Sequence, residues 1–174
     1  MTILNRTIQP EIQEIKKLDL INPVNEILTN RLPVYIMEGG TQDIIRIEFI
    51  FNAGIRQQHS PLEAELTNKM LLSGTFLMTA NEIADKIDFY GAFVETTTDY
   101  DSASLNIVTL VKYLEPVMSI VSDVIINATY PIEEFNIMIK NEKQKYEVNN
   151  KKVNYVAKQH FDEIIFGKMH PYGM

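Results

Sequence analysis

No cysteine occurs among the 174 residues, which excludes disulfides, thiolate catalysis and cysteine-based zinc or iron–sulfur sites while saying little about compartment. Histidine is scarce too: His59, His160 and His170 are the only three, and their spacing matches no metal site. Positive charge is in deficit, with Lys+Arg 16 against Asp+Glu 23 and a formal charge of -7. So acidic a surface repels phosphate backbones and argues against nucleic acid as a partner. No apolar run approaches the roughly 18 residues that a membrane span needs. The opening "MTILNRTIQPEIQEIKKLDL" lacks the apolar centre of a signal peptide. These absences predict a soluble, cytoplasmic protein with neither membrane nor nucleic-acid partner, or a periplasmic one if the true N-terminus differs.

What is present suits one buried core: 45% hydrophobic content in a chain of single-domain length. Residues 1–27 mix charge, Pro10 and Pro23 with scattered Ile and Leu, which suits an N-terminal arm more than an element of its own. The domain proper is expected over 28–174. "RLPVYIMEGG" reads as a short strand, and "DIIRIEFIFNAG" as a half-buried one with Ile45, Ile47, Phe49 and Phe51 opposite Arg46 and Glu48.

Ser60-Pro61-Leu62-Glu63 has the form of a capping box with proline at the first helical position, predicting a helix from there to Gly74. Thr79-Ala80-Asn81-Glu82 repeats the box ahead of Ile83, Ile87 and Tyr90 at helical spacing. "AFVETTTDYDSASLNIVTLV" reads as a hairpin turning at Asp99 to Asp101. Leu114, Val117, Met118, Val121 and Ile125 form a helical stripe. Pro131 opens a longer helix with Phe135, Ile139 and Tyr146 on one face, "NNKK" interrupts it, and Val153 to Phe166 is a further helix stopped at Gly167. This order predicts an α+β fold: a largely antiparallel sheet with helices packed on one face.

"NAGIRQQ", a helix ending "KMLLSGT", then "ANEIADKIDFYGAFVETTTDYDSASL" and finally "IIFGKMHPYG" follow one another in an order that resembles the N-terminal half-domain of the insulinase/pitrilysin family, which includes the mitochondrial processing peptidases. The resemblance covers Leu28 to Met174. It implies a processing-peptidase-like half-domain, a fragment of a longer polypeptide with two such halves, in a family whose paired units close around peptides.

Active members carry HxxEH on the first helix, two histidines for zinc and a glutamate as general base, on one face because residues i, i+3 and i+4 adjoin. Laying "KMLLSGT" on that helix puts the first histidine at Glu65, the glutamate at Asn68 and the second histidine at Lys69. Counting back from "IIFGKMHPYG" puts the third ligand, a glutamate, near Lys145.

A charged lysine has three donors and no free lone pair. Two lysines facing a dication would each oppose it by up to about 4 kcal/mol per charge pair at about 4 Å and an effective dielectric near 20. An amide does not take a proton from water at neutral pH. Zinc is therefore expected to be absent, with no catalytic residue at these positions. Glu65 and Lys69 at i, i+4 are expected to form an ion pair worth about 0.2–0.5 kcal/mol. Glu142 and Glu147, amid five lysines of the same stretch, read as a solvated charged face.

The resemblance also implies that the strand Gly91 to Asp101 offers an edge to peptide substrate, with Val94, Glu95, Thr96 and Thr97 at the contact. Glu95-Thr96 stands where active members often have Asn-Ala. An edge merely protected by charge explains the same residues. The expected function is that of a catalytically inactive homologue, the non-catalytic partner of an active zinc-peptidase subunit bearing HxxEH. A structural or assembly protein that kept the fold without peptide binding, and an active metallopeptidase with displaced ligands, are the alternatives.

Overall fold

A computed structural model describes residues 20–173. The chain divides into two units, 1–42 and 43–174. In the first, β1 (Val24–Ile27) pairs antiparallel with β2 (Pro33–Ile36), Val24 opposite Ile36 and Ile27 opposite Pro33. The turn between them closes through the Arg31 N–H, which donates to the Leu28 carbonyl, with Arg31 at φ 67°. β1 corrects the expectation that residues up to 27 form no element. Its apolar residues are too few to announce a strand alone, and pairing with β2 satisfies the backbone that propensity left undecided. The rest of the expected arm, residues 1–19, lies outside the described residues.

The second unit is built on a three-stranded antiparallel sheet in the order β3 (Ile44–Phe51), β5 (Ala103–Leu110), β4 (Phe93–Thr98). Register puts Ile47 of β3 and Val94 of β4 on either side of Ile107, and Phe49 and Thr96 on either side of Leu105. Because side chains alternate, one face collects Ile45, Ile47, Phe49, Phe51, Leu105, Ile107 and Val94. Leu105 and Ile107 are fully buried there. The opposite face carries Arg46, Glu48, Glu95 and Thr97 toward solvent, with Arg46 donating to Asn106 Oδ1 at 3.0 Å.

Helices close the apolar face. The core joins Leu105 and Ile107 to Ile83 and Ile87 of α2 (Ala80–Phe89), to Val117, Ile120, Val121 and Val124 of α3 (Leu114–Asn127), and to Leu71. The expected α3 stripe is centred one position off: Val117 and Val121 are its middle, and Leu114, Met118 and Ile125 form a half-buried flank. The Thr79 box is complete. Glu82 N–H donates to Thr79 Oγ1 at 3.3 Å while Thr79 N–H donates to Glu82 Oε2 at 2.8 Å, an arrangement worth about 1 kcal/mol.

The Ser60 box is not what it resembled. α1 runs Glu63–Lys69, starting two residues later than expected, and continues as a 3-10 turn, Met70–Ser73, to Gly74. Only half of the reciprocal pattern exists: Glu63 Oε2 accepts from the N–H groups of His59 at 2.7 Å and Ser60 at 3.0 Å, while the Ser60 side chain does not cap the helix, whose Ala64 N–H donates instead to Gln58 Oε1 at 3.4 Å. Glu63 N–H donates to the Ser60 carbonyl at 3.2 Å across Leu62, which sits at φ 68°, ψ -1°. Those are the angles of the third residue of a type II turn, whose second position favours proline. Pro61 thus marks a turn before the helix, not the helix start.

α4 (Ile132–Asn149) and α5 (Val153–Phe166) follow, separated at Asn150–Lys152 as expected. The face holding Phe135, Ile139 and Tyr146 is exposed. α4 leans on the 3-10 turn after α1, so helical spacing located the stripe correctly but not what covers it. Among the described residues no helix is long and apolar enough to cross a membrane.

Candidate functional site

α1 reaches the site from one side and α4 from the other. Lys69, at the last position of α1, places Nζ 2.6 Å from Oε1 of Glu65 one turn back, and 2.7 Å from Oε1 of Glu142 on α4. Glu142 Oε2 takes a longer contact, 3.4 Å, from Lys145. The Glu142 side chain is only 17% exposed and that of Lys69 34%, whereas that of Lys145 is 59% exposed. Burial pulls the Lys69 amine toward neutrality, but its bonds to Glu142 and Glu65 together outweigh this and hold it above the ordinary lysine value. The Lys69 bond likewise holds the Glu142 carboxyl below the ordinary range, against the opposing effect of burial. Both groups are charged at neutral pH.

Asn68 turns the other way. It is buried, and its Nδ2 donates to the Thr97 carbonyl at 2.7 Å, the Ser104 carbonyl at 3.1 Å and Thr98 Oγ1 at 3.1 Å. It therefore clasps the β4–β5 hairpin. A cavity of about 340 Å³ adjoins it, walled by Phe51, Leu71 and Ile125 with Gln57 and Thr67 at its polar part.

The β4–β5 turn is held from two further directions. Ile55 and Arg56 N–H groups donate to the carbonyls of Asp99 and Tyr100. Tyr172 Oη donates to Asp101 at 3.1 Å, Arg56 Nε lies 3.3 Å from the same carboxylate, and the Tyr172 ring packs on Tyr100. "NAGIRQQ" and "HPYG", far apart in sequence, thus meet at one turn. β4 pairs with β5 along one side, and no other described strand lies along its free edge, where Val94, Glu95, Thr96 and Thr97 are expected to meet peptide.

The sequence model of the insulinase family, peptidase family M16, matches residues 40–171. The chain belongs to the insulinase family. Among solved structures, the peptidase M16 inactive domain from Pseudomonas fluorescens superposes with TM-score 0.82 at 22% identity, over 88% of this chain and 38% of its own. A protease from Helicobacter pylori gives 0.74 at 16% identity over 88% and 38%, and the periplasmic protease PqqL from Escherichia coli 0.75 at 17% over 88% and 18%. At such identities the likeness shows the fold. This chain spans well under half the length of each. No curated protein matches it significantly in sequence.

In this insulinase-family frame the expected site residues separate. Glu65 and Lys69 meet, as their spacing predicts; Asn68 serves the hairpin. Lys145 reaches only the second oxygen of Glu142, and it is Glu142, read from sequence as part of a solvated face, that meets Lys69. The clue to Glu142 was its place one turn before Lys145, on the same face. Glu147 is exposed, as expected.

The fit to zinc is poor. The groups that converge are two carboxylates and a protonated amine, and the amine has no lone pair to give. Among the described residues no three His, Asp or Glu side chains are placed to share a metal ion. His59 and His160 each approach a glutamate of their own segment, and His170 stacks on Phe166.

Proposed function

We propose that this chain is a peptidase-like domain without hydrolytic activity, the non-catalytic partner of an active insulinase-family subunit that bears HxxEH, and that it offers β4 to peptide. One observation carries the reading: Lys69 Nζ sits between Glu65 and Glu142, where the family resemblance would seat the metal. With that position taken by a cation, no zinc is bound and no water activated. The amide of Asn68, at the place of the general base, cannot accept a proton at neutral pH.

Pairing is supported by coverage, since the chain corresponds to a minor share of the larger proteases from Helicobacter pylori and Escherichia coli. Peptide contact is supported by the free edge of β4, which has backbone groups for an added strand.

The test is purification of the full-length polypeptide from its native cell, with assay of zinc content, peptide cleavage and co-purifying subunits. A stable complex with an HxxEH-bearing subunit, whose cleavage falls when this chain is removed, is the expected result. Stoichiometric zinc and cleavage by the isolated chain overturn the reading. A chain that associates with no peptidase and alters none favours a structural or assembly role.

A further inference from the structure

We propose that the outer edge of β3 is a self-association surface, on which β3 of a second copy of this chain pairs antiparallel in one register. The inference goes beyond the function proposed above, since β3 and β4 are opposite edges of the sheet.

β3 is eight residues long, and among the described residues no strand pairs with its outer side. The Val111 N–H donates to the Asp43 carbonyl at 3.0 Å, one step beyond the Ile44–Leu110 pair, and in an antiparallel ladder such bonded positions recur at every second residue. Ile45, Ile47 and Phe49 therefore spend their N–H and C=O groups on β5. Ile44, Arg46, Glu48 and Ile50 turn theirs outward, a template for another strand. The side chains are unfinished as well. Leu105 and Ile107 of β5 are fully buried, but Phe49 and Ile47 opposite them are only half-buried, and on the other face Ile44 and Ile50 are 49% and 68% exposed.

The strand is complementary to itself. Laid antiparallel on a copy about a two-fold axis at Ile47, Arg46 lies opposite Glu48 of the second copy and Glu48 opposite its Arg46, two pairs of unlike charge. Ile44 falls opposite Ile50 on the same face, and Ile45 opposite Phe49 on the helix-covered one. The residues so opposed with free backbone groups are Arg46 with Glu48 and Ile44 with Ile50, so each of these pairs can exchange two hydrogen bonds. Other registers fail. A slip of two residues sets Arg46 against Arg46 or Glu48 against Glu48, like charges that oppose pairing, and a slip of one sets the apolar row against the charged one.

The experiment is sedimentation of the full-length polypeptide unaltered and with Arg46→Glu, Glu48→Arg or both, with circular dichroism to check folding. Expected is a species of twice the mass of one chain. Each single reversal sets like charges opposite and gives a monomer; the double reversal, and an equal mixture of the two single variants, restore the dimer because Arg again faces Glu. These 174 residues hold no cysteine, so Ile47→Cys puts one thiol on the axis, where opposed Cα atoms lie about 4.5 Å apart, within disulfide range. Oxidation is expected to join two chains through Ile47→Cys and not through Ile45→Cys, whose two copies stand roughly 13 Å apart along the strands. Where a charge reversal leaves the chain unfolded, this cross-link decides. An unaltered polypeptide that is monomeric, as when another of its own segments lies on β3, overturns the proposal. So does a dimer that folded single reversals leave intact, or cross-linking through Ile45→Cys as ready as through Ile47→Cys.

Discussion

Asn68 Nδ2 lies 2.7 Å from the carbonyl oxygen of Thr97 and 3.1 Å from that of Ser104. Both partners can only accept, so the side chain between them has to donate. A carboxylate would set negative oxygen against two carbonyls in a buried place. Asn68→Asp is expected to cost about 1–3 kcal/mol at neutral pH, the penalty of a buried polar mismatch, read as a lower urea midpoint with unchanged slope. The loss shrinks in acid, where a protonated Asp can donate. Restoring the general base is expected to fail for the same reason: Asn68→Glu lowers stability and yields no peptide cleavage.

The ion pairs of Lys69 and of Lys145 differ in weight. Lys69→Met leaves Glu65 and Glu142 facing each other and is expected to cost about 1.5–3 kcal/mol, the range for hydrogen bonds to charged groups. Lys145→Met removes a 3.4 Å contact from a side chain 59% exposed, and its cost stays under about 1 kcal/mol. Thermal unfolding of the two variants side by side decides whether this ranking holds.

Stability should vary with pH in a defined direction. The Glu142 carboxyl titrates lower in the folded chain than unfolded, so its contribution is complete above the unfolded value, near 4.3, and is lost as pH falls through the folded one. The Lys69 amine is raised, so its share is complete below the unfolded value, near 10.4, and is lost only as pH rises through a folded value above that. Between these limits the pair contributes a plateau. Glu142→Gln is expected to lower the plateau and flatten the acid limb of midpoint against pH. An acid limb as steep as that of the unaltered chain would show that Glu142 does not contribute.

Gly54 has ordinary backbone angles, yet a Cβ there would stand 2.4 Å from the Asp101 carbonyl carbon and the Ser102 nitrogen. Gly54→Ala must push the β4–β5 turn away from the segment that holds it, costing about 1–3 kcal/mol as overpacking does. Faster amide exchange at Ile55 and Arg56, whose N–H groups donate to Asp99 and Tyr100, is the local readout; exchange rates equal to those of the unaltered chain would count against a displaced turn.

Patterns confined to a few neighbouring residues were readable in advance. The alternation of Ile45 to Phe51, the complete box at Thr79, the Asp99 to Asp101 turn and the Glu65–Lys69 pair each depend on strand pleat, helix pitch or capping, all short-range. Even there one local form served two structures: Ser-Pro-Leu-Glu suits a capping box and a type II turn alike, and the chain takes the turn.

What the sequence by itself determined is which segments become strands and helices and which of their faces are apolar, because periods of two and of 3.6 residues are set by covalent geometry. Only the tertiary structure decided that Glu142 meets Lys69, that Asn68 clasps the edge hairpin, and that the apolar stripe of α4 stays exposed. Those relations join residues up to 73 positions apart, and such a pairing follows from how α4 settles against α1, which no local period encodes.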